Sequence, residues 1–68
     1  MKLNWFHEDG VGWWAWERPF LVAYDDGEGL WAPNKAGWYG YDLSRKGIQA
    51  TGPFATDGEA KAAMEARV

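Results

Sequence analysis

Residues 12–24 read Gly-Trp-Trp-Ala-Trp-Glu-Arg-Pro-Phe-Leu-Val-Ala-Tyr, and no other stretch constrains the fold as strongly. Side chains of a β-strand alternate between two faces. Read with that period of two, Trp14, Trp16, Phe20, Val22 and Tyr24 share one face, interrupted only by Arg18. Trp13, Ala15, Glu17, Pro19, Leu21 and Ala23 share the other, which is smaller and more polar. The bulkier set is expected against a core. Pro19 has no N–H to give to a sheet ladder, so the stretch is expected either as two shorter strands or as one strand bent at residues 17–19.

The rest of the chain supplies partners for these strands. Leu3, Trp5 and His7 alternate with Asn4, Phe6 and Glu8, as in a short first strand. Asp9-Gly10 then marks a turn. A second acidic turn, Asp25-Asp26-Gly27-Glu28-Gly29, follows the central stretch. Leu30-Trp31-Ala32 is at most a short strand stopped by Pro33, and residues 34–37 form a loop. Residues 38–43 alternate again, with Tyr39, Tyr41 and Leu43 on one side. Ser44-Arg45-Lys46-Gly47 reads as a hairpin connection. In the returning strand Ile48 and Ala50 are expected inward, beside Tyr41 and Leu43, with Gln49 and Thr51 outward.

The C-terminal segment is the clearest helix. Thr56 is a good N-cap with Glu59 three residues on, the pattern of a capping box. Asp57 places negative charge at the positive end of the helix dipole. Residues 59–67 are all good helix formers, and Ala60, Ala63, Met64 and Arg67 share one face. The expected fold is therefore α+β: one domain over residues 1–68, with a small antiparallel sheet of roughly three to five strands and the C-terminal helix packed on one face. Trp14, Trp16, Phe20, Val22, Tyr41, Ile48, Phe54, Ala60 and Met64 are the expected buried residues.

So short a chain buries only about 60% of the surface it exposes when unfolded, less than larger domains do, and a small fold often needs disulfides or a metal. Here 12 aromatic side chains, six of them Trp, supply the apolar area instead. There is no Cys, so neither a disulfide nor a thiolate metal site can form. The first residues hold no apolar run of signal-peptide length, and the longest apolar run, residues 20–24, cannot span a bilayer. A cytoplasmic protein without membrane contact is expected. The net charge of −3 argues against direct nucleic-acid binding through phosphates and leaves open an acidic patch for a basic partner.

No catalytic or cofactor pattern stands out. His7-Glu8-Asp9 matches no metal-ligand spacing, and His7 is the single His. The acidic turn at residues 25–29 lacks the alternating order and distal Glu of a calcium loop. Nothing places Ser44, Thr51 or Thr56 beside His7 as a nucleophile–base pair. An enzyme, a cofactor and a metal are all unexpected. The tryptophans carry the stronger signal. Trp13 and Trp14 are adjacent, so a strand turns them to opposite faces. One of Trp13, Trp31 and Trp38 is expected to stay at least partly exposed as a contact residue, and the acidic turns, Glu8 with Asp9 and Asp25 with Asp26 and Glu28, are expected to supply the charge. Arg18 is expected as a cation stacked on that apolar face or as an ion-pair partner across the sheet.

Residues 52–66, Gly-Pro-Phe-Ala-Thr-Asp-Gly-Glu-Ala-Lys-Ala-Ala-Met-Glu-Ala, resemble the GPF-x-T-x-x-E-A close of many small bacterial and phage proteins, where a last strand leads into one capped helix. In style the whole chain is similar to accessory proteins of phages and mobile elements, anti-CRISPR proteins among them. These are short, Cys-free, acidic single domains without enzyme motifs. That resemblance implies a non-catalytic module that inhibits a larger host complex handling nucleic acid, and it transfers no individual residue. Two other classes fit the composition: a binder of carbohydrate or single-stranded nucleic acid that stacks on Trp and Tyr, and a dimeric accessory or structural protein.

Overall fold

A computed structural model describes residues 2–27, 35–44, 46 and 50–68. Five strands and one helix follow in order: β1 (Trp5–Glu8), β2 (Gly12–Ala15), β3 (Phe20–Asp25), β4 (Gly37–Asp42), β5 (Ala50–Phe54) and α1 (Asp57–Glu65). The strands form a single antiparallel sheet in sequential order, with the helix laid across one face. This is the expected α+β architecture. The expected positions at Glu28, Trp31, Ile48 and the connection through Arg45 and Gly47 lie outside the described residues.

Local chemistry sets the turns. Val11 N–H donates to the Glu8 carbonyl at 3.0 Å, closing the turn at Asp9-Gly10. Gly10 sits at its third position with φ +79°, a conformation that glycine adopts without a Cβ clash. The expected break at Pro19 is also present: residues 16–19 are a bend between β2 and β3. The Pro19 carbonyl is not wasted, since it accepts from Leu43 N–H at 2.9 Å and ties the bend to the end of β4.

Cross-strand pairing fixes two faces. Trp5 pairs with Ala15, His7 with Trp13, Trp13 with Val22, Val22 with Gly40, and Gly40 with Thr51. These residues, with Phe20, lie on the helix side. Phe6 pairs with Trp14, Trp14 with Leu21, Leu21 with Tyr41, and Tyr41 with Ala50. That second row, with Ala23 and Tyr39, lies on the face opposite the helix.

The core on the helix side consists of Leu3, Ala15, Phe20, Val22, Ala60 and Met64, with Trp5, Trp13, Trp38, Phe54 and Val68 packed around it. Val22, Ala60 and Met64 are fully buried. Complete burial of a side chain such as Val or Met contributes about 1.5–3 kcal/mol. Small residues permit the close approach: a Cβ on Gly40 would stand 2.4 Å from Met64 Sδ and 2.5 Å from its Cγ. Nine residues of helix are too few to persist alone in water, so this contact sustains the helix as much as the helix covers the sheet. The Thr56 hydroxyl accepts from Glu59 N–H at 3.2 Å, the N-cap expected from the sequence.

Three expectations about facing are corrected. Trp16 is not a core residue but is 77% exposed, and Trp14 is half-buried on the face opposite the helix. The β2 residues that meet the core are Ala15 and Trp13, the set expected outside. The cause is the bend. Ala15 and Phe20 both face the helix although an odd number of positions separates them, so the two-residue period does not carry through residues 16–19. Tyr24 keeps the parity of Phe20 and Val22 but lies beyond the core, 58% exposed, with its ring edge-on to Trp38 at 5.7 Å. Thr51 faces the helix, where its hydroxyl takes a hydrogen bond from the Arg67 guanidinium at 2.5 Å.

Candidate functional site

The face opposite the helix is aromatic along its length, and its burial changes from one end to the other. At the β4 end Tyr39 is fully buried and Tyr41 nearly so. The Tyr39 hydroxyl donates to the Lys35 carbonyl. Burial, and then the negative charge of Asp25, raise the phenol pKa of both tyrosines above the ordinary value, so both stay neutral. A shallow groove of about 310 Å³ runs beside them, lined by Leu21, Ala23, Tyr24, Asp25, Tyr41 and Leu43.

At the β1–β2 end the same face stands open. Phe6 is 44% exposed, and Trp16 meets it edge-on with ring centroids 5.6 Å apart. Trp14 lies between this pair and the groove, opposite both Phe6 and Leu21 in the register. Its indole N–H donates to Glu8 Oε1 at 2.7 Å. Glu17, next to Trp16, takes hydrogen bonds from the Asn4 backbone N–H at 3.0 Å and the Asn4 side-chain amide at 2.8 Å. Trp16 N–H donates to the Asn4 carbonyl at 2.8 Å. Both carboxylates thus brace the aromatic ledge while their charge stays at its rim. This arrangement offers apolar contact at the centre and negative charge around it.

The expected contact residues divide between the two faces. Asp25 reaches the rim of the groove, and its carboxylate also accepts from Gly27 N–H at 2.7 Å. Asp26 is exposed in the adjoining turn. Trp13 and Trp38 are half-buried on the helix side, packed against the core. Trp13 is held between His7, at 5.0 Å between rings, and Lys61, whose ammonium stands 3.3 Å over its ring centroid. The cation stacked on an aromatic is therefore Lys61 and not Arg18. Lys61 also reaches Asp57 at 3.4 Å, one turn back along the helix. Arg18 instead lines a hollow of about 540 Å³ at the C-terminal end of the helix, with Phe20, Asp42, Ser44 and Arg67.

Sequence reasoning placed Trp16 in the core and so missed its exposure, because both sides of residues 12–24 carry apolar groups. It also missed Glu65. This carboxylate accepts from Leu3 N–H at 2.8 Å and from the Trp5 indole at 3.1 Å, tying the helix to the segment before β1. The Leu3 hydrogen bond, aided by the Trp5 indole, holds its pKa below the usual carboxylate value despite partial desolvation. No short-range pattern links positions about 60 residues apart.

The described residues hold no group of three or more His, Asp or Glu that could bind a metal ion. His7 Nδ1 stands 3.3 Å from Asp9 Oδ1, with both side chains at the surface. No helix among them is long and apolar enough to cross a membrane. No protein-family model, curated protein or solved structure matches the chain.

Proposed function

We propose that this chain is a non-catalytic protein-binding module that docks on a basic surface of a larger partner through the face opposite the helix. In its sharpest form the partner is a complex that handles nucleic acid, and the module inhibits it by occupying a groove built for phosphates. The observation that carries the reading is Trp16, 77% exposed, with Phe6 beside it at 44%. Exposed Trp is disfavoured in a monomer, and Trp is among the residues that dominate binding hot spots. Glu8, Glu17 and Asp25 place negative charge around the ledge and groove, and the whole chain carries −3. A surface made to bind phosphates is positive, and an acidic, aromatic-centred face complements it.

The test is affinity capture from a host lysate, followed by kinetics on the captured protein. The parent retains one stoichiometric partner. Trp16→Ala weakens that complex by more than about 2 kcal/mol and acts mainly on dissociation, as loss of a buried anchor does. Asp9→Lys and Asp26→Lys slow association and flatten its salt dependence, as rim charges do. Turnover of a substrate by the purified protein defeats the proposal. Trp16-dependent binding to a glycan array, with no protein partner, replaces it with sugar stacking.

A further inference from the structure

The two edges of the sheet are built differently. β5 is one edge, and Pro53 within it has no N–H to offer a further strand. β1 is the other, and neither Pro nor Lys interrupts residues 5–8. The direction of its backbone groups follows from the pairing. The Asn4 carbonyl is bonded to Trp16 N–H, and the Glu8 carbonyl to Val11 N–H, so both turn toward β2. The strand period then turns Phe6 inward as well, and the N–H and C=O groups of Trp5 and His7 outward. Among the described residues β1 pairs with β2 alone, so these outward groups have no strand partner. An edge of this kind is a template for another strand.

We infer that the outer edge of β1 accepts an extended, basic segment of a partner protein as a sixth strand. This rests on the protein-binding reading above and names the element that holds the partner. The side chains beside the edge fit such a segment. On one face, Phe6 stands open on β1 itself, next to where alternate side chains of an added strand would lie, and Trp16 meets it from the β2 side. Glu8 and Asp9 stand exposed at the end of the strand, and Glu17 lies beside Trp16. Lys2, before the strand, and His7 within it are the cationic or titratable groups of opposite kind. An added strand that turns Lys or Arg toward the face of Phe6 and Glu8 would therefore set each cation beside a carboxylate and an aromatic ring, and its alternating apolar side chains would lie on the other face, beside Trp5 and His7. A second copy of this chain is the less suitable occupant, because each copy carries −3 and brings Glu8 and Asp9 to the same edge.

The probe is a labelled short peptide of alternating Lys and Val, followed by fluorescence anisotropy and amide hydrogen exchange on the full chain. Two controls accompany it: a Glu-Val peptide, and the Lys-Val peptide N-methylated at alternate residues, which keeps its charge but loses one row of backbone donors. The expected result is binding of Lys-Val with slowed exchange at Trp5 and His7. Both controls bind more than about tenfold more weakly. His7→Pro removes an outward N–H and gives the same loss. Should that variant fail to fold, the N-methylated peptide still decides. Equal binding of the N-methylated peptide overturns the edge while leaving the aromatic face as a binding surface. Equal binding of Glu-Val overturns the charge preference. Binding of none of the peptides, or protection of Trp5 and His7 by self-association without peptide, overturns the inference; the capture experiment with Trp16→Ala then judges the protein-binding reading separately.

Discussion

Both faces of the sheet are rich in aromatic side chains, yet they are finished in different ways. On the helix side, Gly40, Ala15 and Ala60 make room, and Phe20, Val22 and Met64 fill it. On the other side, Tyr39 and Tyr41 are buried at the β4 end, while Phe6 and Trp16 remain in water at the β1–β2 end. Hydrophobic content therefore does not separate the two faces. The difference lies in whether small residues opposite let another element approach. Where they do, the aromatic and aliphatic groups become core, and at the β1–β2 end they remain exposed.

The contrast is broken most directly at Met64. Met64→Ala removes a fully buried side chain and is expected to cost about 2–5 kcal/mol, a large part of the stability of so small a domain. Gly40→Ala acts from the other side of the same contact. The added methyl would meet Met64 at 2.4 Å, and overpacking of this kind costs about 1–3 kcal/mol. The double variant sharpens the point: the methyl then enters space that Met64 vacated, so the two losses should add to less than their sum. Chemical denaturation of all four proteins gives the coupling. Strict additivity would show that Gly40 and Met64 do not share one packing site.

The cap is next in size. Thr56→Ala removes the acceptor for Glu59 N–H and should cost about 1 kcal/mol, read as a lowered melting temperature. This element was legible from sequence because its signal is local: cap, acidic first turn and alanine-rich face lie within a few residues. The turn at Asp9-Gly10 and the break before Phe20 were legible for the same reason. The facing of Trp14 and Trp16 was not. It depends on how many residues a bend consumes, and residues 16–19 consume enough to reverse the parity between Ala15 and Phe20. The sequence points to Trp13, Trp31 and Trp38 as contact aromatics, and Trp31 lies outside the described residues; Trp13 and Trp38 are half-buried on the helix side and Trp16 stands open, because a stretch apolar on both sides does not say which side a helix will cover.

Glu65 gives a smaller, pH-dependent effect on the covered side. Its folded pKa lies below the ordinary value of 4.5, chiefly through the Leu3 N–H. A carboxylate whose pKa is depressed by folding adds stability that is present above the unfolded pKa and lost as pH falls through the folded one. Stability should therefore decline as pH drops below about 4.5, and Glu65→Gln should make that decline shallower. Glu65 is only partly buried, so the effect should be smaller than that of the cap. Melting curves taken between neutral and strongly acidic pH test it, and an unchanged slope in the variant would remove Glu65 as the cause.

The smallest effect on stability is expected where the side chain is largest. Trp16 buries little of its ring, and its main contact is the edge-on meeting with Phe6. Trp16→Ala should change stability by no more than about 0.5 kcal/mol, the range of surface substitutions. Its backbone N–H to the Asn4 carbonyl is untouched by the change, so the start of β1 stays tied to the bend. The same substitution is the one expected to weaken partner binding most. A variant that keeps its melting temperature and loses its partner would separate the two faces by function, one holding the fold and the other offering contact. A large loss of stability would instead mean that Trp16 is a structural brace for the bend between β2 and β3, and the exposed ledge would lose its claim as the binding surface.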